Sequence, residues 1–272
     1  MSRWRTWFSK KHRSLTEIPL PGEIWFASDI HLGPHTPATQ AAFHAFLERA
    51  GASADALLLC GDIFDVWIGD DVALSAPPPW LSETLGRLGR LAQSMPLWLG
   101  RGNRDFLMGE QLARHLGARI LPDTCRLRTD FGDILLSHGD EYCLDDAGYR
   151  RFRRIVRNPA VQALFLSLSL ERRGRIAAWA RSRSMASNQY KPTRIMDVTP
   201  RAIEQAFEAA GVDTMVHGHT HRPAVHSLTV GGKSRRRIVL PDWDYDHGPD
   251  HRGGGLIIDR RGPRLIAAPA RP

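Results

Sequence analysis

The 272-residue sequence predicts an α/β (α+β) fold, on three observations. Short apolar runs of strand type alternate with helical stretches through the first half. Paired runs joined by tight turns then take over. A long arginine-rich segment of helical character interrupts the second half. Strand–helix alternation implies buried parallel strands in an α/β layer, and the paired runs add antiparallel hairpins to it.

The elements follow in order. Ile24–Ala27 is a short apolar run and reads as a strand, whereas Ala38–Ala50 repeats its apolar residues at helical spacing. Ala56–Cys60 is a second strand, and Pro77-Pro78-Pro79 reads as a loop before a helix over Leu81–Gln93. Met95–Leu99 is a third strand, and a short helix over Glu110–Leu116 stops at Gly117. Thr124–Thr129 and Asp133–Ser137 form a hairpin around Asp130-Phe131-Gly132. Thr214–His217 and Arg237–Leu240 are further strands, with Lys233–Arg237 read as a solvated hairpin turn. Leu256–Asp259 and Leu265–Ala268 make a final hairpin.

Residues 149–199 differ in character. Arg151, Arg153, Arg154, Arg157, Arg172, Arg173, Arg175, Arg181 and Arg183 are interleaved with apolar residues, which predicts two or three amphipathic helices inserted between strands. The arginines read as a solvated basic face. The apolar stretch Val161–Leu170 reads either as packing within a helical subdomain or as a lid for a greasy ligand or a membrane surface.

A net charge of +8 favours anionic partners, with 42% hydrophobic and 24% charged residues otherwise ordinary for a globular protein. Three cysteines, Cys60, Cys125 and Cys143, lack zinc-type spacing and suit a reducing compartment. No stretch approaches the roughly 20 apolar residues of a membrane span. Residues 1–21 form a basic tail. Its Trp4, Trp7 and Phe8 lie among Arg3, Arg5, Lys10, Lys11 and Arg13, which suits either an anionic membrane surface or a disordered segment.

The chemistry concentrates at strand ends. Asp29 and His31 follow the first strand one residue apart, so their side chains can share a face. Asp62 follows the second strand, Asn103 the third, His138 the hairpin, and His219 and His221 the strand at Thr214–His217. Singly each is weak, since an Asp after a strand commonly caps a turn and a lone His is commonly structural. Jointly, oxygen and imidazole ligands from five strand-end loops suit a pair of Mn²⁺, Fe²⁺ or Zn²⁺ ions and a phosphoester-cleaving site. Asp65 and Asp105 read as anchors for a ligating His or Asn, Asp70 and Asp71 as loop-structuring, and Trp67 as core.

The motifs Asp29-Ile30-His31, Gly61-Asp62-Ile63-Phe64-Asp65, Gly102-Asn103-Arg104-Asp105, His138-Gly139-Asp140 and Gly218-His219-Thr220-His221 resemble, in this order, the calcineurin-like metallophosphoesterase superfamily. Further segments are similar to the branch acting on UDP-2,3-diacylglucosamine in the lipid A pathway of Gram-negative bacteria. They are Trp67–Asp71, Asp145-Asp146-Ala147-Gly148-Tyr149, Ile195–Val198 and His217–His226, and the resemblance spans Ile24 to Asp259.

That resemblance implies a sandwich of two packed mixed sheets flanked by helices, with residues 149–199 as a lid on a domain formed by 22–148 and 200–272. It implies one ion, most simply Mn²⁺, on Asp29, His31, Asp62 and His221, and a second on Asp62, Asn103, His138 and His219. Asp62, Asn103, Arg104 and His219 would be catalytic, with Arg104 gripping a phosphate. Asp146, Tyr149, Ser184, Asn188 and Lys191 would hold substrate beside Asn103, Arg104 and His219. Residues 184–191 depart from the family's commoner wording at Met185, Gln189 and Tyr190. The implied reaction is attack of water on the α-phosphorus, giving UMP and 2,3-diacylglucosamine 1-phosphate. The implied location is peripheral, on the anionic cytoplasmic face of the inner membrane, with no nucleic acid and no obligatory protein partner.

Other readings make different predictions. A relative acting on nucleotides or phosphoproteins would prefer a generic aryl phosphate. A non-catalytic scaffold of this fold would bind no transition metal, and a nucleic-acid binder would show steep salt-dependent affinity for DNA.

Overall fold

The computed structural model describes residues 15–188 and 197–267, the side chains of 184–188 excepted. Its strands begin with β1 (Thr16–Leu20), β2 (Ile24–Ala27), β3 (Ala56–Cys60), β4 (Leu97–Gly100), β5 (Arg119–Ile120) and β6 (Thr124–Thr129). They continue with β7 (Gly132–Ser137), β8 (Thr214–His217), β9 (Ala224–Val230), β10 (Lys233–Val239), β11 (Gly254–Asp259) and β12 (Gly262–Ala267). The helices are α1 (Pro37–Ser53), α2 (Asp71–Ser75), α3 (Pro79–Ser94), α4 (Glu110–Leu116), α5 (Ala147–Val156), α6 (Pro159–Leu166), α7 (Leu170–Asn188) and α8 (Pro200–Ala210).

Two six-stranded mixed sheets form, in the orders β1-β6-β7-β8-β10-β9 and β12-β11-β2-β3-β4-β5. Alternation along the strands explains why they stack. In β2 and β3, Ile24, Phe26, Ala56, Leu58 and Cys60 face the opposing sheet and meet Cys125, Leu127, Ile134, Leu136 and Val216. Trp25, Ala27, Leu57 and Leu59 face the other way, against Phe43, Phe46, Leu85 and Leu88 of α1 and α3. Burial on both faces is why these strands read as unbroken apolar runs. The opposing sheet is covered by α8, through Ile203, Ala206, Phe207 and Ala210 packed on Leu135 and Met215.

The sandwich flanked by helices agrees with the expected fold, and three details differ. Thr16–Leu20, inside the stretch read as a tail, is a strand paired in parallel with β6. Pro19 argues against an inner strand, and β1 indeed lies at a sheet edge, where a missing N–H is tolerated. Pro79 opens α3, because a proline at the first helical position gives up an N–H that needs no partner there. Lys233–Arg237 lies within a strand, and the turn before it is Gly231-Gly232, both glycines at positive φ.

Among the described residues, three α-helices, α5 to α7, and a short 3-10 turn at Asp140–Tyr142 lie between β7 and α8. Tail residues 1–14 lie outside the described residues, and no described helix is long and apolar enough to cross a membrane.

Candidate metal centre

The five ligand-bearing loops leave the C-terminal ends of strands that run in parallel within their sheets. β2, β3 and β4 are parallel neighbours in one sheet, as are β7 and β8 in the other. The loops therefore gather at one rim of the sandwich.

The backbone at this rim is unusual. Asp29, His31, Asp62, His219 and His221 have φ between 52 and 68°, and no other described non-glycine residue has positive φ. Left-handed backbone at such residues costs about 1–3 kcal/mol each and persists only where surrounding structure enforces it. Hydrogen bonds from Asp29 N to Gly61 O and from His31 N to Asp62 O, both 3.0 Å, do so here. Asp105 accepts from the backbone N–H groups of Asp62, Ile63, Phe64 and Gly102, joining the β3 and β4 loops. Close approach also dictates Gly102, where a Cβ would lie 2.0 Å from Asp62 Oδ1.

The side chains converge. His31 Nε2 lies 3.3 Å from His221 Nε2, which lies 3.4 Å from Asp29 Oδ1. Asn103 Oδ1 lies 2.8 Å from His219 Nδ1 and 3.3 Å from His138 Nε2. Asp62 Oδ2 sits between the groups, 4.0 Å from His31 Nδ1 and 3.8 Å from His138 Nε2. The ligand atoms of Asp29, His31 and His221 lie within 4.8 Å of one another, as do those of Asp29, Asp62 and His138. The seven residues read from sequence are thus gathered together, with Asp29 near both groups. His217 is apart: its Nδ1 donates to Gly218 O at 2.8 Å and its Nε2 accepts from Arg237.

This cluster fits cations. Asp29 Oδ1 and His31 Nδ1 are buried without a hydrogen-bond partner, and no arginine or lysine forms an ion pair with Asp29 among the described residues. Burial pushes Asp62 up to about 7, with Asp105 and Asp29 adding to the rise. Burial would lower His138, but Asp62, Asp29 and Asp140 hold it up at about 9. Burial carries His219 down to about 4 and, with Arg104, holds His31 well below its usual range, which leaves those rings neutral and able to ligate. A buried site that gathers carboxylates, an amide oxygen and imidazoles suits divalent ions of intermediate hardness.

The remaining residues read from sequence divide. Arg104 donates to Asp65, with its Nε 3.7 Å from Asp62 Oδ2. Tyr149 stacks on His219 at 6.1 Å and donates its hydroxyl proton to Asp140. Asp146 caps α5 by accepting from Tyr149 N at 2.9 Å. The side chains of Ser184 and Asn188, and Lys191 altogether, fall outside the described residues.

Asp70 receives Trp67 Nε1–H and the N–H groups of Gly109 and Leu112, so it does structure its loop, and Trp67 is buried against Phe64. Asp65 differs from its expected role as an anchor for His or Asn. It accepts from Arg104 and Arg181 and sets a guanidinium pair beside the cluster. Cys60 is core, its thiol pushed well up by burial.

The insertion's arginines are not all a solvated face. Arg153 Nε donates to Asp140 at 2.6 Å and Arg157 Nη2 to Gly102 O at 2.9 Å. Arg173, 2% exposed, donates to Ile68 O and Asp71, and Arg181 pairs with Asp65 at 2.8 Å. Each of these loops adjoins or carries a cluster residue. Sequence reasoning missed this because an arginine run carries no mark of which members find carboxylates. It also missed Asp242, although that residue follows β10 just as the recognised ligands follow their strands.

Fold and cluster together define a metal-dependent hydrolase of phosphoesters. Residues 22–223 match the family model of the calcineurin-like phosphoesterases, and the chain belongs to that family, whose members use divalent metal ions. A Bordetella parapertussis protein named UDP-2,3-diacylglucosamine hydrolase is 55% identical over 248 residues, covering 91% of this chain and 96% of that one. Proteins of the same name from Serratia proteamaculans and Stenotrophomonas maltophilia are 46% and 43% identical, over 81% and 86% of this chain and 91% and 96% of theirs.

Proposed function

We propose that this chain hydrolyses the pyrophosphate of UDP-2,3-diacylglucosamine to UMP and 2,3-diacylglucosamine 1-phosphate. The observation that carries the reading is a juxtaposition. A buried cation-competent cluster lies beside an arginine-tethered insertion whose free face is apolar, with Ile155 58%, Leu164 70% and Trp179 62% exposed. A phosphate joined to acyl chains needs both environments, because each buried methylene of such chains contributes about 0.8 kcal/mol.

Asp29, His31, Asp62 and His221 would hold one ion and Asp62, Asn103, His138 and His219 the other, with Mn²⁺ suited to this mixture of oxygen and imidazole. Two divalent ions held there would lower the pKa of a bound water and offset phosphoryl charge. Arg104 turns from Asp65 to the phosphate and, with His219, offsets charge developing on the transferring group. Tyr149, held by Asp140, presents its ring beside His219, while Asp146, Ser184, Asn188 and Lys191 hold the substrate. Water oxygen joins the α-phosphorus as the bond from that phosphorus to the bridging oxygen breaks. The bridging oxygen departs on the sugar phosphate and the water's proton is released to solvent. UMP leaves with one phosphate and the acylated sugar keeps the other. Residues 149–199 act as a lid that shelters the acyl chains. The Arg-rich surface favours peripheral attachment to the anionic cytoplasmic face of the inner membrane.

The test is Mn²⁺-dependent release of UMP from UDP-2,3-diacylglucosamine in mixed micelles, beside hydrolysis of p-nitrophenyl phosphate. Faster turnover of the lipid substrate is expected. Faster turnover of the aryl phosphate would assign the chain to a different substrate.

A further inference from the structure

A histidine that ligates through one ring nitrogen is commonly oriented by a hydrogen bond at the other. For His138 the partner is a backbone carbonyl, since Nδ1 lies 3.1 Å from Cys60 O and a carbonyl can only accept. His138 therefore carries a proton on Nδ1 and presents Nε2 to the cluster. Among the described residues no such carbonyl meets His221. Its Nε2 faces Asp29 and His31, and its Nδ1 lies 3.5 Å from the Oδ2 of Asp242.

Asp242 is placed deliberately by the fold. It is 3% exposed and lies two residues beyond Leu240, whose N–H donates to His217 O at 2.8 Å at the end of the β10–β8 pairing. The next residue, Trp243, donates its N–H to Asp29 O at 3.0 Å, so one short segment braces two members of the same group. Arg252 Nε donates to Asp242 Oδ2 at 3.1 Å. Backbone bonds between Asp244 and Arg252 in both directions, 2.9 and 3.0 Å, close the loop that carries this arginine. A buried carboxylate so tethered is oriented before any ion arrives.

We propose that Asp242 is a positioning residue of the metal centre. It holds His221 as the Nδ1–H tautomer with the Nε2 lone pair aimed at the ion shared with Asp29 and His31, and Arg252 holds Asp242 in turn. Carboxylates behind ligating histidines fix tautomer and ring orientation, and losing one weakens metal binding about 10–100-fold. The proposal rests on the metal-centre reading above and adds a residue outside the seven ligands.

The test is Mn²⁺ binding to chelator-stripped full-length protein, followed by electron paramagnetic resonance and calorimetry, for wild type, Asp242→Asn and His221→Ala. For Asp242→Asn the expected result is one site weakened about 10–100-fold and the other unchanged, with most of kcat recovered at saturating Mn²⁺. Wild-type affinity at both sites in Asp242→Asn, with His221→Ala weakened, would overturn the role of Asp242 alone. Wild-type affinity in both variants would overturn the metal-centre assignment and this proposal with it. Should Asp242→Asn fail to fold, Arg252→Gln at the half-exposed outer end of the relay carries the test. A smaller weakening of the same single site is expected, and no change would contradict the relay.

Discussion

Arg153 of the inserted helices donates to the carboxylate of Asp140, which follows the cluster histidine His138 by two residues. The carboxylate is almost fully buried, and Tyr149 donates to the same oxygen. Insertion and metal-centre loop are therefore joined through one charged atom. Removing one partner of a buried pair leaves an uncompensated charge and costs about 3–5 kcal/mol. Arg153→Ala should lose stability in that range by urea denaturation. It should also weaken activity through the His138 loop, and an unchanged midpoint would show that the pair contributes nothing.

Arg173 and Asp71 give a pH dependence. Arg173 lowers the Asp71 pKa on folding, so this pair contributes above the unfolded carboxylate value and is lost as pH falls through the folded one. Opening of α7 amides, followed by pulsed hydrogen exchange, should therefore increase below about pH 4, the unfolded carboxylate value. Asp71→Asn should show the increased exchange already at pH 7 and respond less to acid.

Gly102 tests the close packing of the ligand loops. A methyl group there meets Asp62 Oδ1 and N, at 2.0 and 2.4 Å, and neither can retreat without moving the cluster. Gly102→Ala should bind less than the wild-type complement of Mn²⁺ by elemental analysis. Full metal content and full activity would contradict the geometry.

Leu58 provides the contrast. It is fully buried between the sheets, two residues before the end of β3. Leu58→Ala should cost about 2–5 kcal/mol through lost burial and a residual cavity, while folded protein keeps its metal stoichiometry.

Removing metal should act on stability as well as rate. An ion that binds only the folded state at 100 times its Kd adds about 2.7 kcal/mol. Chelation should lower the thermal midpoint and Mn²⁺ should restore it, whereas equal midpoints would mean that the cluster does not take up the ion.

Much of the site was legible because strands carry a strong local signal. β2, β3 and β8 match their expected limits, and the residues placed just beyond them are the ones that converge. Two kinds of feature escaped. β1 carries a proline and owes its structure to β6, more than a hundred residues away, so local pattern argues against it. The arginine pairs and the Asp242–His221 contact are side-chain choices made by tertiary packing. Nothing in a run of arginines marks Arg173 as buried and Arg175 as exposed. The left-handed backbone at the cluster is likewise invisible, since Asp and His do not announce positive φ as glycine does.

Asp62 lies between the two groups of ligands, so the central claim rests on it most heavily. The most direct measurement is Mn²⁺-dependent UMP release by wild type and Asp62→Ala, with bound metal counted on the same samples. The account predicts that the variant loses both turnover and metal while retaining its folded circular dichroism spectrum. Equal turnover, or a full complement of tightly bound ions in the variant, would contradict the two-metal centre.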